Sequence, residues 1–227
     1  MILIIPNFLV FKQPDLGNSL VFLAIWLTIL ISSGLKKVYG FLGLILAVLL
    51  TPLAWCFLKP YQMQRIVNFL NPNYDPLGSG YNVIQSIIAI GSGSVTGKGL
   101  GMGSQSQLRF LPERHTDFIF ASFAEELGFL GACLLLCLYF ILLLRILNIS
   151  AKTQDKFGYL ICLGVFAMIF FQAVVNIGMN LGIIPVTGIT LNLFSSGGSS
   201  VIATFICLAL VQQVANFSQE KKVFEIK

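Results

Sequence analysis

Apolar residues in this chain fall into long blocks, separated by short breaks that carry charge. The blocks run from Ser19 to Leu35, Val38 to Leu58, Phe118 to Leu147, Phe157 to Leu181 and about Ser196 to Phe217. A helix needs about 20 consecutive apolar residues to cross the hydrocarbon of a bilayer. The pattern therefore predicts an all-α, polytopic integral membrane helical bundle in a single transmembrane domain, with spans at about 19–35, 38–58, 118–147, 157–181 and 196–217. Only Lys36 and Lys37 part the first two spans, which makes them a hairpin. The remaining long segment, 59–117, is predicted to be a loop outside the membrane. Met1 to Phe11 is apolar but reaches only about half-way across the hydrocarbon. It lacks the basic leading region and small-residue cleavage site of a signal peptide, and reads as the tail of a truncated or re-entrant span.

Composition agrees with lipid as the solvent: 56% of residues are hydrophobic and 10% charged, against about a quarter charged in soluble domains. Sidedness follows from Lys and Arg in the short connections, which resist translocation. Lys36 and Lys37, then Arg145, Lys152 and Lys156, then Lys221, Lys222 and Lys227 all fall on one side, assigned to the cytoplasm. Segment 59–117 and the uncharged turn from Gly182 to Ser195 fall on the other. The long loop's own Lys59, Arg65, Lys98, Arg109 and Arg114 do not conflict with this, because long loops translocate largely regardless of charge. The anchoring lysines account for the net charge of +5. No basic stripe with interleaved aromatics points to nucleic acid. All five cysteines lie in apolar blocks, where they act as small hydrophobes. Cys133 and Cys137 are one helical turn apart, but no further ligand accompanies them. His115 is the only histidine, so neither a histidine triad nor a metal cage can be assembled.

Polar chemistry concentrates in 59–117. Tyr61 to Leu70 sets Ile66, Val67, Phe69 and Leu70 among Gln62, Gln64, Arg65 and Asn68, the pattern of an amphipathic helix at a membrane surface. The prolines of 71–76 end it. Val83 to Ile90 is expected to form a short helix or re-entrant element. The glycine run from Gly91 to Gly103 contains Gly97-Lys98, but the spacing of a nucleotide-binding loop fails at Ser92 and Gly99. The run fits a flexible connector, or backbone amides that approach a phosphate together with Lys98.

Thr116 or Asp117 fits the N-cap of the third span. Glu125 and Glu126 lie two turns deeper, where a carboxylate is costly and is a functional candidate by default. Eight residues of helix leave Glu125 within about 80° of Asp117, and Glu126 on the opposite side. Glu125 fits a site residue, a buried structural ion pair, or a protonated acid. Gln172, Asn176 and Asn180 recur every four residues on the fourth span, a polar face suited to interhelical hydrogen bonds or to lining a cavity.

The run Leu111-Pro-Glu-Arg-His-Thr-Asp-Phe-Ile-Phe-Ala121, followed by Glu125-Glu-Leu-Gly128, resembles the signature of the SEDS family of RodA, FtsW and SpoVE. Gln13 to Gly17, Asp75 to Tyr81, Gly103 to Leu108, Asn176 to Gly182 and Pro185 to Gly188 extend the resemblance over almost the whole chain. Arg114 and the Gln-Ser-Gln-Leu run are similar to the RodA type. Members have roughly ten spans, so the chain would lack the first four and part of the fifth. It also departs from the family at Thr190 to Ser196, where two prolines and a tyrosine are missing, and this is expected to loosen the turn.

The resemblance implies a peptidoglycan glycosyltransferase that polymerises lipid II during cell-wall elongation and cell-shape maintenance. It implies a class B penicillin-binding transpeptidase as partner, with membrane lipid around the chain, in a bacterial plasma membrane or plastid inner membrane. It places the catalytic aspartate at Asp117, as general base, with Lys98, Arg109, Arg114 and Glu125 as substrate-binding candidates. No metal ligands are assigned, and a divalent cation is admitted but not demanded. Two other readings stand beside it: a lipid II flippase, which needs a continuous polar path, and a non-catalytic scaffold of the wall-synthesis and division machinery.

Overall fold

A computed structural model describes Val10 and residues 15–34, 60–71, 80–108 and 110–225. The predicted span at 38–58, nearly all of the opening stretch and Arg109 lie outside the described residues. Seven helices are present among the described residues: α1 (Leu16–Ser32), α2 (Pro60–Leu70), α3 (Tyr81–Ser92), α4 (Ser104–Gln107), α5 (Ile119–Lys152), α6 (Lys156–Asn180) and α7 (Gly198–Glu225). The described chain has no strands. Three segments are long and apolar enough to cross a membrane: Ile119–Lys152, Lys156–Asn180 and Gly198–Ser218. The long segment before α5 carries α2, α3 and α4, the first two at the positions expected for an amphipathic helix and a short helix.

Exposure follows the logic of lipid rather than water. Phe129, Leu134, Leu138 and Phe140 on α5 are each more than half exposed, while Glu125, Asn176 and Asn180 are fully buried. On α2 the buried residues are Gln62 and Asn68, and Leu70 is 75% exposed. Hydrocarbon supplies no hydrogen bonds, so polar groups turn inward and apolar ones outward.

The chain divides into two compact units, Met1–Leu35, Leu136–Ala173 and Asn192–Lys227 in one, Lys36–Leu135 and Val174–Leu191 in the other. In the first, Asp15 caps α1 by accepting the Asn18 backbone N–H at 3.0 Å. Asp155 caps α6 by accepting the Gly158 N–H at 2.9 Å. The Ser218 hydroxyl donates to the Lys152 carbonyl at 3.2 Å, tying the α5–α6 turn to α7. The segment expected to loosen for want of prolines does not. Leu191, Asn192 and Ser195 are buried, and the Tyr139 hydroxyl donates to the Asn192 carbonyl. Burial and this hydrogen bond hold the backbone that proline would otherwise have restricted.

In the second unit the glycine run forms a clasp. Gly128, at φ 67° and ψ −165°, breaks α5. In a straight helix the carbonyls of Glu125 and Glu126 would accept from the N–H groups of Phe129 and Leu130. Here the 94–99 backbone takes all four groups. Lys98 and Gly99 donate to Glu125 and Glu126 at 3.0 Å each, while Phe129 and Leu130 donate to Ser94 and Val95 at 2.9 and 3.1 Å. Such approach demands bare backbones. A Cβ on Gly97 would lie 2.1 Å from the Glu126 carbonyl oxygen, one on Gly93 2.1 Å from that of Ala124, and one on Gly128 2.3 Å from the Gly97 nitrogen.

We therefore expect Gly97→Ala to cost more than the roughly 1–3 kcal/mol that a strained φ alone imposes, because the clasp must also part. Gly91→Ala, where a Cβ meets nothing within 4 Å, is expected to be neutral. Melting temperature in detergent, followed by size-exclusion chromatography, compares the two; equal values would show that the clasp is not tight.

Candidate active site

Asp117 sits where a tight turn enters α5. The turn closes on Glu113, whose φ is +50° and whose carbonyl accepts the backbone N–H groups of Thr116 and Phe118 at 3.1 and 3.2 Å. The Thr116 hydroxyl donates to the Glu113 carboxylate at 2.9 Å. Phe118 is 2% exposed and packs with Ala89, Leu111 and Ala121. Burying that ring leaves the preceding Asp117 only partly covered, at the edge of the core.

Two asparagines of α6 fix the Asp117 backbone. The side-chain amides of Asn176 and Asn180 donate to the Asp117 carbonyl at 2.9 and 3.0 Å. Asn176 also donates to the Ile189 carbonyl at 2.7 Å, and Asn180 accepts the Ala121 N–H at 3.1 Å. Its own carbonyl accepts the Ser86 hydroxyl of α3 at 2.7 Å. Together, the two fully buried asparagines, through their side chains and the Asn180 backbone carbonyl, join α3, the start of α5, the end of α6 and the segment after it. Gly182, at φ 70°, ends α6 by turning the chain back, with Ile183 donating to the Gly178 carbonyl at 2.8 Å. The returning segment brings Gly188 so close to Asp117 that a Cβ there would lie 3.7 Å from carboxylate Oδ2. The third member of the polar face, Gln172, has a buried side-chain oxygen with no partner.

Arg114 and His115 flank the same turn. Arg114 Nε donates to His115 Nε2 at 3.0 Å, which makes that nitrogen the unprotonated acceptor of the ring. Arg114 Nη1 is buried with no hydrogen-bond partner. Leu111 to His115 line an open concavity of about 340 Å³ beside it.

Glu125 belongs to a separate cluster. Its carboxylate, fully buried, accepts from Lys98 Nζ at 2.9 Å, Ser104 Oγ at 3.3 Å, the Gln105 and Ser106 backbone N–H groups at 2.9 and 3.0 Å, and Ser106 Oγ at 2.7 Å. Lys98 also donates to Ser104 at 2.8 Å. Five donors fill a carboxylate's acceptor sites, so Glu125 stands here as an ion pair that anchors α4 and the clasp. Of the residues singled out from sequence, the structure brings Lys98 and Glu125 together, and organises Asp117 through a different set of partners; Arg109 lies outside the described residues. Ser104, Gln105 and Ser106 entered the sequence reading only as part of a family motif. Their spacing carries no signal of a carboxylate 19 to 21 residues away in sequence.

Among the described residues no three His, Cys, Asp or Glu lie close enough to hold a metal ion. A divalent cation would draw its oxygen ligands chiefly from phosphate and water.

Residues 1–220 match the family described as cell cycle proteins, that of FtsW, RodA and SpoVE. The chain is 46% identical over 215 residues to the peptidoglycan glycosyltransferase MrdB of Escherichia coli, covering 94% of this chain and 58% of that protein. It is 48% identical over 157 residues to the peptidoglycan glycosyltransferase RodA of Treponema pallidum, covering 69% of this chain and 36% of that one. A chain in a solved peptidoglycan synthase complex superposes with a TM-score of 0.76 at 38% identity, over 92% of this chain and 58% of the other. The chain thus spans little more than half the length of MrdB. On a family match that runs almost from end to end, it belongs to the FtsW/RodA/SpoVE family, the SEDS proteins, and is of the RodA type.

Proposed function

We propose that this protein is a peptidoglycan glycosyltransferase that polymerises lipid II outside the membrane during cell-wall elongation, with Asp117 as general base. The observation that carries the reading is the placement of Asp117: its backbone is locked by Asn176 and Asn180, and it stands at the edge of the core beside the Gly188 turn. Glycosyl transfer needs a base to take the proton of the acceptor sugar hydroxyl as that oxygen attacks the donor's anomeric carbon. The bond from that carbon to the pyrophosphate breaks, and the leaving group carries away the electron pair. Arg114, with a buried donor that has no partner, suits the developing charge on the pyrophosphate. Lys98 and Glu125 serve the site indirectly, by holding the clasp. The names of the relatives support the reaction class, and the likeness to a chain of a peptidoglycan synthase complex supports a penicillin-binding transpeptidase as partner. The flippase reading gains nothing from the polar face of α6, because Asn176 and Asn180 are fully buried and bound to backbone groups.

Asp117→Asn is expected to lower lipid II polymerisation by the purified protein by roughly 10²–10⁴-fold, the usual worth of a general base, with its melting temperature unchanged. Full polymer yield from the variant would sink the assignment, and no polymer from the unmodified protein would favour a scaffold. Asn180→Ala removes one of the two donors to the Asp117 carbonyl and leaves the Ala121 N–H unpaired; it should reduce kcat more than KM and cost about 1–3 kcal/mol of stability. Glu125→Gln removes the charge partner of the partly exposed Lys98 and weakens the hydrogen bonds of α4, so stability and activity should fall together, by about 1–3 kcal/mol in the former. If the Glu125→Gln variant melts normally yet makes no polymer, Glu125 belongs at the substrate instead.

A further inference from the structure

We propose that the groove between the start of α6 and the end of α7 is a binding site for an anionic phospholipid of the surrounding bilayer. The groove holds about 290 Å³ and is lined by Phe157, Ile161, Leu210, Val214 and Phe217, with polar residues at one rim. Its floor is set by Gly158, where a Cβ would lie 3.0 Å from Val214 Cγ1, so the two helices stand close there. Phe157 and Phe217 are 72% and 56% exposed. A groove walled by exposed aromatic rings favours a hydrocarbon chain over a water-soluble ligand.

Charge selects the headgroup. Lys152 and Lys156 flank the lining residues Thr153, Gln154 and Asp155 in sequence, and both are exposed. In sequence, Lys221 and Lys222 follow Ser218. Of the nearby carboxylates, Asp155 lines the groove but accepts the Gly158 N–H as the cap of α6; Glu220 lies between Ser218 and the two lysines in sequence. The hydrogen bond from Ser218 to the Lys152 carbonyl keeps the rim fixed against α7. Two exposed lysines flanking the lining residues in sequence suit an anionic headgroup at this end of the groove, as in basic pockets between membrane helices.

The test uses the whole chain in vesicles, with Phe217→Trp as the sole tryptophan in a Trp26→Phe, Trp55→Phe background and lipids whose acyl chains carry bromine, which quenches tryptophan on contact. Brominated phosphatidylglycerol in a phosphatidylcholine background is expected to quench at about ten-fold lower mole fraction than brominated phosphatidylcholine in a phosphatidylglycerol background. Lys152→Gln with Lys156→Gln should erase the preference, and salt should weaken it in the unsubstituted protein. Equal quenching by the two lipids overturns the proposal, as does a preference that survives both substitutions. Absence of quenching by either lipid overturns it too, since a protein segment would then cover the groove.

Discussion

Everything in the second unit depends on how it repairs a broken helix. Gly128 interrupts α5, and the interruption frees two carbonyls and two N–H groups. A buried backbone group left unpaired costs about 1–3 kcal/mol, and here another backbone meets all four. The 94–99 segment does this from a distance that excludes any Cβ at Gly93, Gly97 or Gly128. The glycines are therefore a packing requirement, and the same contact brings Lys98 to the buried Glu125.

A second constraint, the asparagine pair of α6, gives Asp117 its position. Each amide carries two donor hydrogens and one acceptor oxygen, and the pair uses them on backbone groups of three segments. The cost of burying two polar side chains is offset by satisfied hydrogen bonds, and a site on helix ends gains the rigidity of the helices. This arrangement leaves the Asp117 carboxylate, rather than its backbone, as the part at the edge of the core. The RodA-type membership of the chain and the proposed base meet at this point, since a proton acceptor for a bilayer-tethered sugar must be fixed in place yet reachable.

The first unit shows the same physics applied to helix ends. Asp15 and Asp155 supply caps, and Tyr139 holds the turn at Asn192. Burial of Leu191, Asn192 and Ser195 and the Tyr139 bond restrain that turn. Proline limits the unfolded chain locally, whereas burial and a side-chain hydrogen bond act only once the fold is formed. That is why the sequence suggested a loose turn where the structure has a buried one.

The order of apolar blocks and the placement of lysines determined, without coordinates, that this is an all-helical membrane protein, because hydrocarbon admits few other backbones and block length is local information. The motif around Asp117 and the four-residue spacing of Asn176 and Asn180 were equally legible, since each lies within one helix or turn. Tertiary structure alone decided what those groups meet. The glycine run read equally as a connector or a phosphate cradle until Glu125 and Gly128 were seen against it, and the same contact pairs Lys98 with Glu125. Pairings between residues 27 apart, as for Lys98 and Glu125, or 59 and 63 apart, as for Asn176 and Asn180 with Asp117, leave no periodic trace in a sequence. They arise from helix packing, which a single chain of letters does not record.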